Sequence, residues 1–190
     1  MHHLEYHPKS PQILQIAKAK YPYLTQEWLS DESIEARYYL LKYLETEYRW
    51  KGRLEKDMSW SPIPIFSPDR AKQKLYWSLS HCESFTAYIV SDSPTGIDIA
   101  EYEERDDSLL STHTDIEYSL LGSRNWQNFY ILWTAKESIL KKKWWTLDDM
   151  KHIFLREDLW DSYYLLEFLW DFCKIKIIYE KEIILAYTVD

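Results

Sequence analysis

Six polar side chains in this sequence stand where their types and spacing could do chemistry. Asp98 sits between Ile97 and Ile99, and on a β-strand those neighbours face one way while the carboxylate faces the other. Glu137 and Lys141 are four residues apart, so on a helix they share a face. Taken alone they make an i,i+4 ion pair worth about 0.3–0.5 kcal/mol. Ser80-His81 closes an apolar run, and Cys82 follows directly. A cysteine beside a histidine suggests a nucleophile with its base, but adjacent strand residues point to opposite faces, which discounts that pairing.

Glycine limits how a nucleotide could be held. The chain of 190 residues contains 3 Gly, against about a dozen in an average soluble chain of this length. Gly52, Gly96 and Gly122 are too scattered to build either the G-x-x-x-x-G-K-[ST] loop or the G-x-G-x-x-G turn. Any nucleotide must therefore be held by side chains. In contrast, 10 Trp, 16 Tyr and 6 Phe supply ample material for a core.

Charge is unevenly placed. Residues 1–95 carry 12 Lys/Arg against 12 Asp/Glu, whereas residues 96–190 carry 11 against 19, so the net charge of −8 resides in the second half. That balance argues against nucleic-acid binding, which needs a basic face. Within the acidic half, Lys136, Lys141, Lys142 and Lys143 cluster with only Glu137 among them, as at the solvated C-terminal end of a helix. The acidic run from Glu101 to Asp107 reads as a solvated loop. The absence of 18 consecutive apolar residues argues against a membrane span. The first thirty residues, broken by Pro8, Pro11 and Pro22, lack the apolar stretch of a targeting segment. Two cysteines, Cys82 and Cys173, fit reduced thiols in a cytoplasmic protein. His2, His3 and His7 read as a frayed, solvated terminus rather than a metal site.

The elements that must position these side chains follow from periodicity. Ile34, Tyr38, Leu41, Leu44 and Tyr48 mark an amphipathic helix over 31–48. A stronger helix spans 125–143, with Asn125 or Ser123 as cap, Phe129, Leu132, Trp133, Ile139 and Leu140 on its apolar side, and lysines in its last turns. Residues 75–90 read as two strands around a polar turn at Cys82-Glu83-Ser84, and Gly96-Ile97-Asp98-Ile99 as another strand. Residues 174–179 and 183–189 form a hairpin, while 159–172 could be helix or strand. Trp144-Trp145 are expected in the core of their own half. The polar break Ser91-Asp92-Ser93-Pro94-Thr95 divides the chain into α+β halves, 1–94 and 95–190, each offering a helix followed by strands.

In this order and spacing, Ser78-Leu79-Ser80-His81, Gly96-Ile97-Asp98-Ile99-Ala100-Glu101 and Trp133-Thr134-Ala135-Lys136-Glu137-Ser138-Ile139-Leu140-Lys141 resemble the three signature segments of the 4′-phosphopantetheinyl transferases. The resemblance is to the surfactin-synthetase-type members, in which two similar α+β halves lie side by side in one chain. It covers about 20 residues, spread across the middle third of the chain, and the pairing of G-I-D-I with W-[ST]-x-K-E-[SA]-x-x-K is its specific part.

This resemblance implies an α+β fold of two pseudo-symmetric halves, each an antiparallel sheet packed with a long helix, and a single active site at their interface in a monomer. The implied activity is that of a holo-[acyl-carrier-protein] synthase. Such an enzyme moves the phosphopantetheine arm of coenzyme A to a serine of an acyl or peptidyl carrier protein and releases adenosine 3′,5′-bisphosphate. Carrier proteins of fatty-acid, polyketide and nonribosomal-peptide synthesis all present that serine. By the same resemblance Asp98 and Glu137 ligate Mg²⁺, with Mn²⁺ as an alternative, and Glu137 is also the base for the serine. Lys141 stabilises the pyrophosphate and protonates the departing bisphosphate, and Lys136 makes a supporting phosphate contact. Ser80, His81 and Arg37 contact coenzyme A phosphates. The lysine cluster would help dock an acidic carrier.

Two departures stand out. Ala100 occupies the position at which many surfactin-type members carry a further acid, and Glu101, one place on, points to the other face of a continuing strand. A Gly-Lys-Pro stretch usual before the histidine segment is missing, with Ser61-Pro62-Ile63-Pro64-Ile65 roughly in its place. These departures keep a second reading open: a non-catalytic relative that binds coenzyme A or a carrier without transfer.

Overall fold

The computed structural model describes residues 2–25, 29–56, 62–68 and 73–189. The chain divides into two units, Met1–Thr95 and Gly96–Asp190. Each has α+β architecture with an antiparallel sheet.

In the first unit, strands β1 (His2–Pro8), β2 (Ile65–Phe66), β3 (Lys74–His81) and β4 (Phe85–Ser91) form a sheet of order β1-β4-β3-β2. Helix α2 (Asp31–Tyr48) packs on it through β3 and β4, and α1 (Pro11–Lys20) packs against α2. The α2 boundaries match the periodicity. Ser30 caps it by accepting from the Ser33 amide, Asp31 and Glu32 complement the first turn, and Arg49 ends it in the left-handed conformation. Leu40, Leu44 and Tyr48 meet Leu75, Trp77, Tyr88 and Val90 from the sheet, and Ile34, Tyr38 and Leu41 meet Ala17, Tyr21 and Leu24 from the α1 side. The β3–β4 hairpin turns where expected, with the Cys82 amide donating to the Phe85 carbonyl.

The N-terminal segment departs from the expectation of a frayed end. β1 pairs with β4 from His2↔Ser91 to Pro8↔Phe85. Alternation puts His3, Glu5 and His7 on one face. His3 stacks on Tyr43 at 3.8 Å between centroids and His7 on Tyr39 at 3.8 Å. Both imidazole Nε2 atoms lie 3.0 Å from an oxygen of Glu5. Burial opposes ionisation of Glu5, but the Tyr88 hydroxyl and the two imidazoles hold its carboxyl below the usual range. Histidines gave no apolar alternation to read, yet their rings pack as aromatic surface.

In the second unit, β5 (Ile97–Glu101), β6 (Ile153–Asp158), β7 (Tyr163–Phe168), β8 (Asp171–Glu180) and β9 (Ile183–Val189) form a sheet of order β5-β9-β8-β7-β6. The undecided stretch 159–172 is a turn, β7 and a second turn leading into β8. A short helix α3 (Asp115–Leu120) precedes α4 (Trp126–Lys143). Asn125 caps α4, accepting from the Asn128 amide at 2.8 Å, and Lys141–Lys143 fill its last turn. The helix lies against β5, β8 and β9, burying Leu132, Ala135 and Ile139 with Ile175, Ile177, Ile184 and Ala186.

Trp144 and Trp145 are not the core residues expected. Trp144 takes the left-handed cap position at φ 61° that ends α4. The chain then turns outward, leaving Trp145 44% exposed with its edge against Phe168 at 4.9 Å. Glu101 is half-buried at the end of β5, and residues 102–107 form the expected exposed loop. Cys82 is half-buried and Cys173 buried, and neither forms a disulfide among the described residues. Ser61 lies outside the described residues, whereas Pro62 bridges to Lys56 and Ile65 opens β2.

Gly96, just before β5, lies close against the backbone of α4. Its amide donates to Thr188 Oγ1 and its carbonyl accepts from the Thr188 amide, both at 3.0 Å. A Cβ at this position would lie 1.9 Å from the Ser138 carbonyl oxygen and 2.6 Å from the Lys142 nitrogen, both backbone atoms of α4. Glycine is required here by the approach of backbone to backbone. Gly96→Ala is expected to lose more than about 2 kcal/mol of unfolding free energy in urea titration. Gly122→Ala, where φ is +89° but nothing lies within 4 Å, should lose about 1 kcal/mol or less.

Candidate functional site

Asp98 reaches α4 from β5. Pairing with Ala186, whose side chain belongs to the core under the helix, puts its carboxylate on the helix side of the sheet. Lys141 Nζ donates to Asp98 Oδ1 at 2.6 Å and lies 4.0 Å from Glu137 Oε2. The Asp98 side chain is 8% exposed, that of Glu137 20% and that of Lys141 29%. What the spacing alone valued as a surface i,i+4 pair is therefore a partly desolvated group of two carboxylates around one ammonium. Burial and the charge of Asp98 push the Glu137 carboxyl up to about 7, against the opposing pull of Lys141 and of a hydrogen bond from the Trp133 side chain. Trp133 stands one turn before Glu137, so the i−4 spacing could have suggested this contact.

Ala100 faces the same side as Asp98, pairs with Ile184 and packs against the α4 core. Among the described residues no group of three or more His, Cys, Asp or Glu side chains could hold a metal ion. The pair Asp98 and Glu137 fits a different kind of site. One of the two resists ionisation beside the other, and a cation, the Lys141 ammonium, already lies against both. A hard divalent cation that takes its remaining ligands from phosphate oxygens and water suits such a two-carboxylate donor set.

Lys136, expected to touch phosphate, is directed elsewhere. Its side chain is 4% exposed and its ammonium lies 2.8 Å from Glu117 Oε1. Glu117 also accepts from the Leu155 amide and from the amide and hydroxyl of Thr114, each at 3.0 Å. Burial raises the Glu117 carboxyl, but Lys136 and the amide donors outweigh it and hold it below the carboxylate range. One residue thus closes the capping box of α3, anchors β6 and neutralises a buried lysine of α4. T-x-x-E before an apolar residue announces the box, but only the fold brings Lys136 to it. His113, 3% exposed, is held neutral with its pKa pushed down to about 3, first by burial and then by the charge of Lys136, with Glu117 opposing.

The remaining predicted residues belong to the first unit. Ser80 and His81 end β3 and face opposite sides of the sheet; Ser80 is 4% exposed and His81 is exposed. His81 pairs with Thr86, as does His7 on the other side of β4, and its charge acts on Glu32 in the first turn of α2. Arg37 lies in the middle of α2, 5% exposed, and donates through Nη1 to the carbonyl of Ser33 at 3.0 Å and to its hydroxyl. Among the described residues no helix is long and apolar enough to cross a membrane. Comparison with known protein families finds no match for this chain, and no curated protein sequence matches it.

The buried pair gives a mutational test. Glu117→Ala leaves the Lys136 ammonium buried without a counter-charge and should cost about 3–5 kcal/mol in urea unfolding, whereas Glu117→Leu with Lys136→Met should recover most of that loss. A second test concerns acid. His113 is neutral when folded and protonates near its ordinary value of 6.5 when unfolded. The unfolded state therefore binds the extra proton, and stability falls as pH drops below 6.5 toward 3. That fall should approach about 1.4 kcal/mol per pH unit between pH 6 and 5, and the pH profile of His113→Phe should be flatter by that slope.

Proposed function

We propose that the protein is a Mg²⁺-dependent 4′-phosphopantetheinyl transferase that loads a carrier protein from coenzyme A. The observation that carries this reading is the convergence of Asp98 from β5 with Glu137 and Lys141 from α4, the three residues that the resemblance assigns to the chemistry. The α+β architecture of both units, with an antiparallel sheet and a long helix in each, supports it further.

Asp98 and Glu137 would hold Mg²⁺, which when bound supplies neutralisation of charge on the pyrophosphate. Glu137 takes the proton of the carrier serine, directly or through a water. The serine oxygen then bonds to the β-phosphorus of coenzyme A, and the bond from that phosphorus to the departing bisphosphate breaks. Lys141 stabilises the charge that gathers on the leaving oxygens and delivers a proton to them. Ser80, His81 and Arg37 are the side chains proposed to hold coenzyme A phosphates. Lys136 contributes indirectly, as the buried partner of Glu117 that fixes α4.

Ala100, an apolar residue at the position of a possible third acid, favours the second reading, a coenzyme A or carrier binder without transfer. A mass increase of about 340 Da on an apo carrier protein, requiring both Mg²⁺ and coenzyme A, is expected under the first reading. Coenzyme A binding without that increase on any of several fatty-acid, polyketide and nonribosomal-peptide carriers would establish the second. Glu137→Gln should fold normally and lose at least about 100-fold in transfer rate, measured by the same mass assay; an unchanged rate would remove Glu137 from its role.

A further inference from the structure

We propose that Thr188 is a positioning residue for the charged group on α4, holding the entry to β5 so that the Asp98 carboxylate meets the Lys141 ammonium. Within its sheet β5 is the terminal strand, and it pairs with β9 from Ile97↔Tyr187 to Glu101↔Ile183. Just before the first of these pairs the pattern changes. The Gly96 carbonyl accepts from the Thr188 amide at 3.0 Å, as in a regular ladder. The Gly96 amide, however, donates to Thr188 Oγ1 at 3.0 Å, where an ordinary antiparallel pair would use the backbone carbonyl.

Side-chain alternation explains this exchange of acceptor. Thr188 shares a strand face with Ala186 and Ile184, which pack under α4. Its hydroxyl therefore lies on the helix side of the sheet, where a Cβ at Gly96 would meet the Ser138 and Lys142 backbone. Thr188 and Gly96 are both buried, and a buried amide requires an acceptor. The hydroxyl supplies that acceptor on the side toward α4. At its far end the chain leaving β5 is tied as well. The Tyr102 amide donates to the Glu182 carbonyl at 2.6 Å, and the Tyr130 hydroxyl of α4 donates to the Glu103 carbonyl at 3.1 Å. Asp98 lies between these ties, two residues from Gly96, in its 2.6 Å contact with Lys141.

The chemistry of the hydroxyl separates this role from simple packing. Valine would fill nearly the same space but leave the Gly96 amide without its acceptor. A buried donor in that state either draws in water or shifts the strand. Either response loosens Asp98 from Lys141 and lets solvent reach Glu137. The inference rests on the transferase reading only for its effect on catalysis; the geometry of Asp98, Glu137 and Lys141 is tested without it.

The test uses the full chain and follows the Glu137 carboxyl carbon by NMR titration, its signal assigned with Glu137→Gln. Burial and the charge of Asp98 raise this carboxyl to about 7, so its midpoint reports whether Asp98 stays in place and water stays out. Thr188→Ser keeps the hydroxyl and should keep the wild-type midpoint. Thr188→Val should lower the midpoint by at least about 1 pH unit, toward the ordinary 4.5. A loss of global stability alone would not move the midpoint of molecules that remain folded. Thr188→Ala removes the same hydroxyl with a smaller side chain, and should give the same shift if Thr188→Val fails to fold. In the carrier mass assay Thr188→Val should lose at least about tenfold in kcat, with KM for coenzyme A changed by less than about twofold, and Thr188→Ser should retain the wild-type rate. A wild-type midpoint near 4.5, an unshifted midpoint in folded Thr188→Val or Thr188→Ala, or an equal shift in Thr188→Ser would overturn the proposal. The expected midpoints with no carrier loading by the wild type would sustain the role of Thr188 and count against the transferase reading alone.

Discussion

The second unit depends on one steric constraint, the near-contact of the β5 backbone at Gly96 with the α4 backbone at Ser138 and Lys142. A side chain there would force strand and helix apart, and an ammonium–carboxylate contact of 2.6 Å tolerates little such movement. Asp98 lies two residues beyond Gly96, and Lys141 lies between Ser138 and Lys142 in sequence. The position that fixes the packing distance therefore also sets the reach between the two charged groups. The same closeness removes solvent from Glu137 and turns an ordinary helix pair into carboxylates that compete for one cation.

Helix geometry then separates neighbours in sequence. Lys136 and Glu137 are adjacent, but a step of about 100° around α4 sends them to different surroundings. Lys136 enters the interior and is neutralised by Glu117, whose remaining oxygen capacity is taken by Thr114 and Leu155. That pair ties α3, α4 and β6 through one carboxylate. Glu137 stays at the edge of solvent with Asp98 and Lys141. A buried ionic link of this sort adds less to net stability than its Coulomb attraction suggests, but it is costly to break from one side only.

Much of the architecture was legible. Both long helices announced themselves by apolar spacing, and α4 also by its capping residue and terminal lysines, which are local features that tertiary contacts did not override. The β3–β4 and β8–β9 hairpins were marked by polar turns between β-rich runs. β1 was missed because its inward face is His3, Glu5 and His7, whose packing value comes from Tyr39, Tyr43 and Tyr88 far away in sequence. Residues 159–172 hid their strands because apolar and aromatic residues occur on both faces. Bulky residues in the left-handed conformation at the turns, Trp160 and Trp170 among them, replaced the expected Gly or Asn signals. Trp144 and Trp145 were misread for a related reason: aromatic composition argues for burial, but a helix cap obliges the chain to turn away.

By itself the sequence determined the positions of the two long helices and of the β3–β4 and β8–β9 hairpins, the absence of a glycine-built nucleotide cradle, and the identity of the residues that carry the resemblance. These depend on local propensity and residue type, which a linear string records directly. Tertiary structure alone decided that Lys141 bridges to Asp98, that Lys136 is an interior residue, that Arg37 is buried and donates to Ser33, and that Gly96 is a packing necessity. Each of these is a matter of desolvation or of distance between segments remote in sequence. Both quantities come into being only when the chain closes on itself and excludes water.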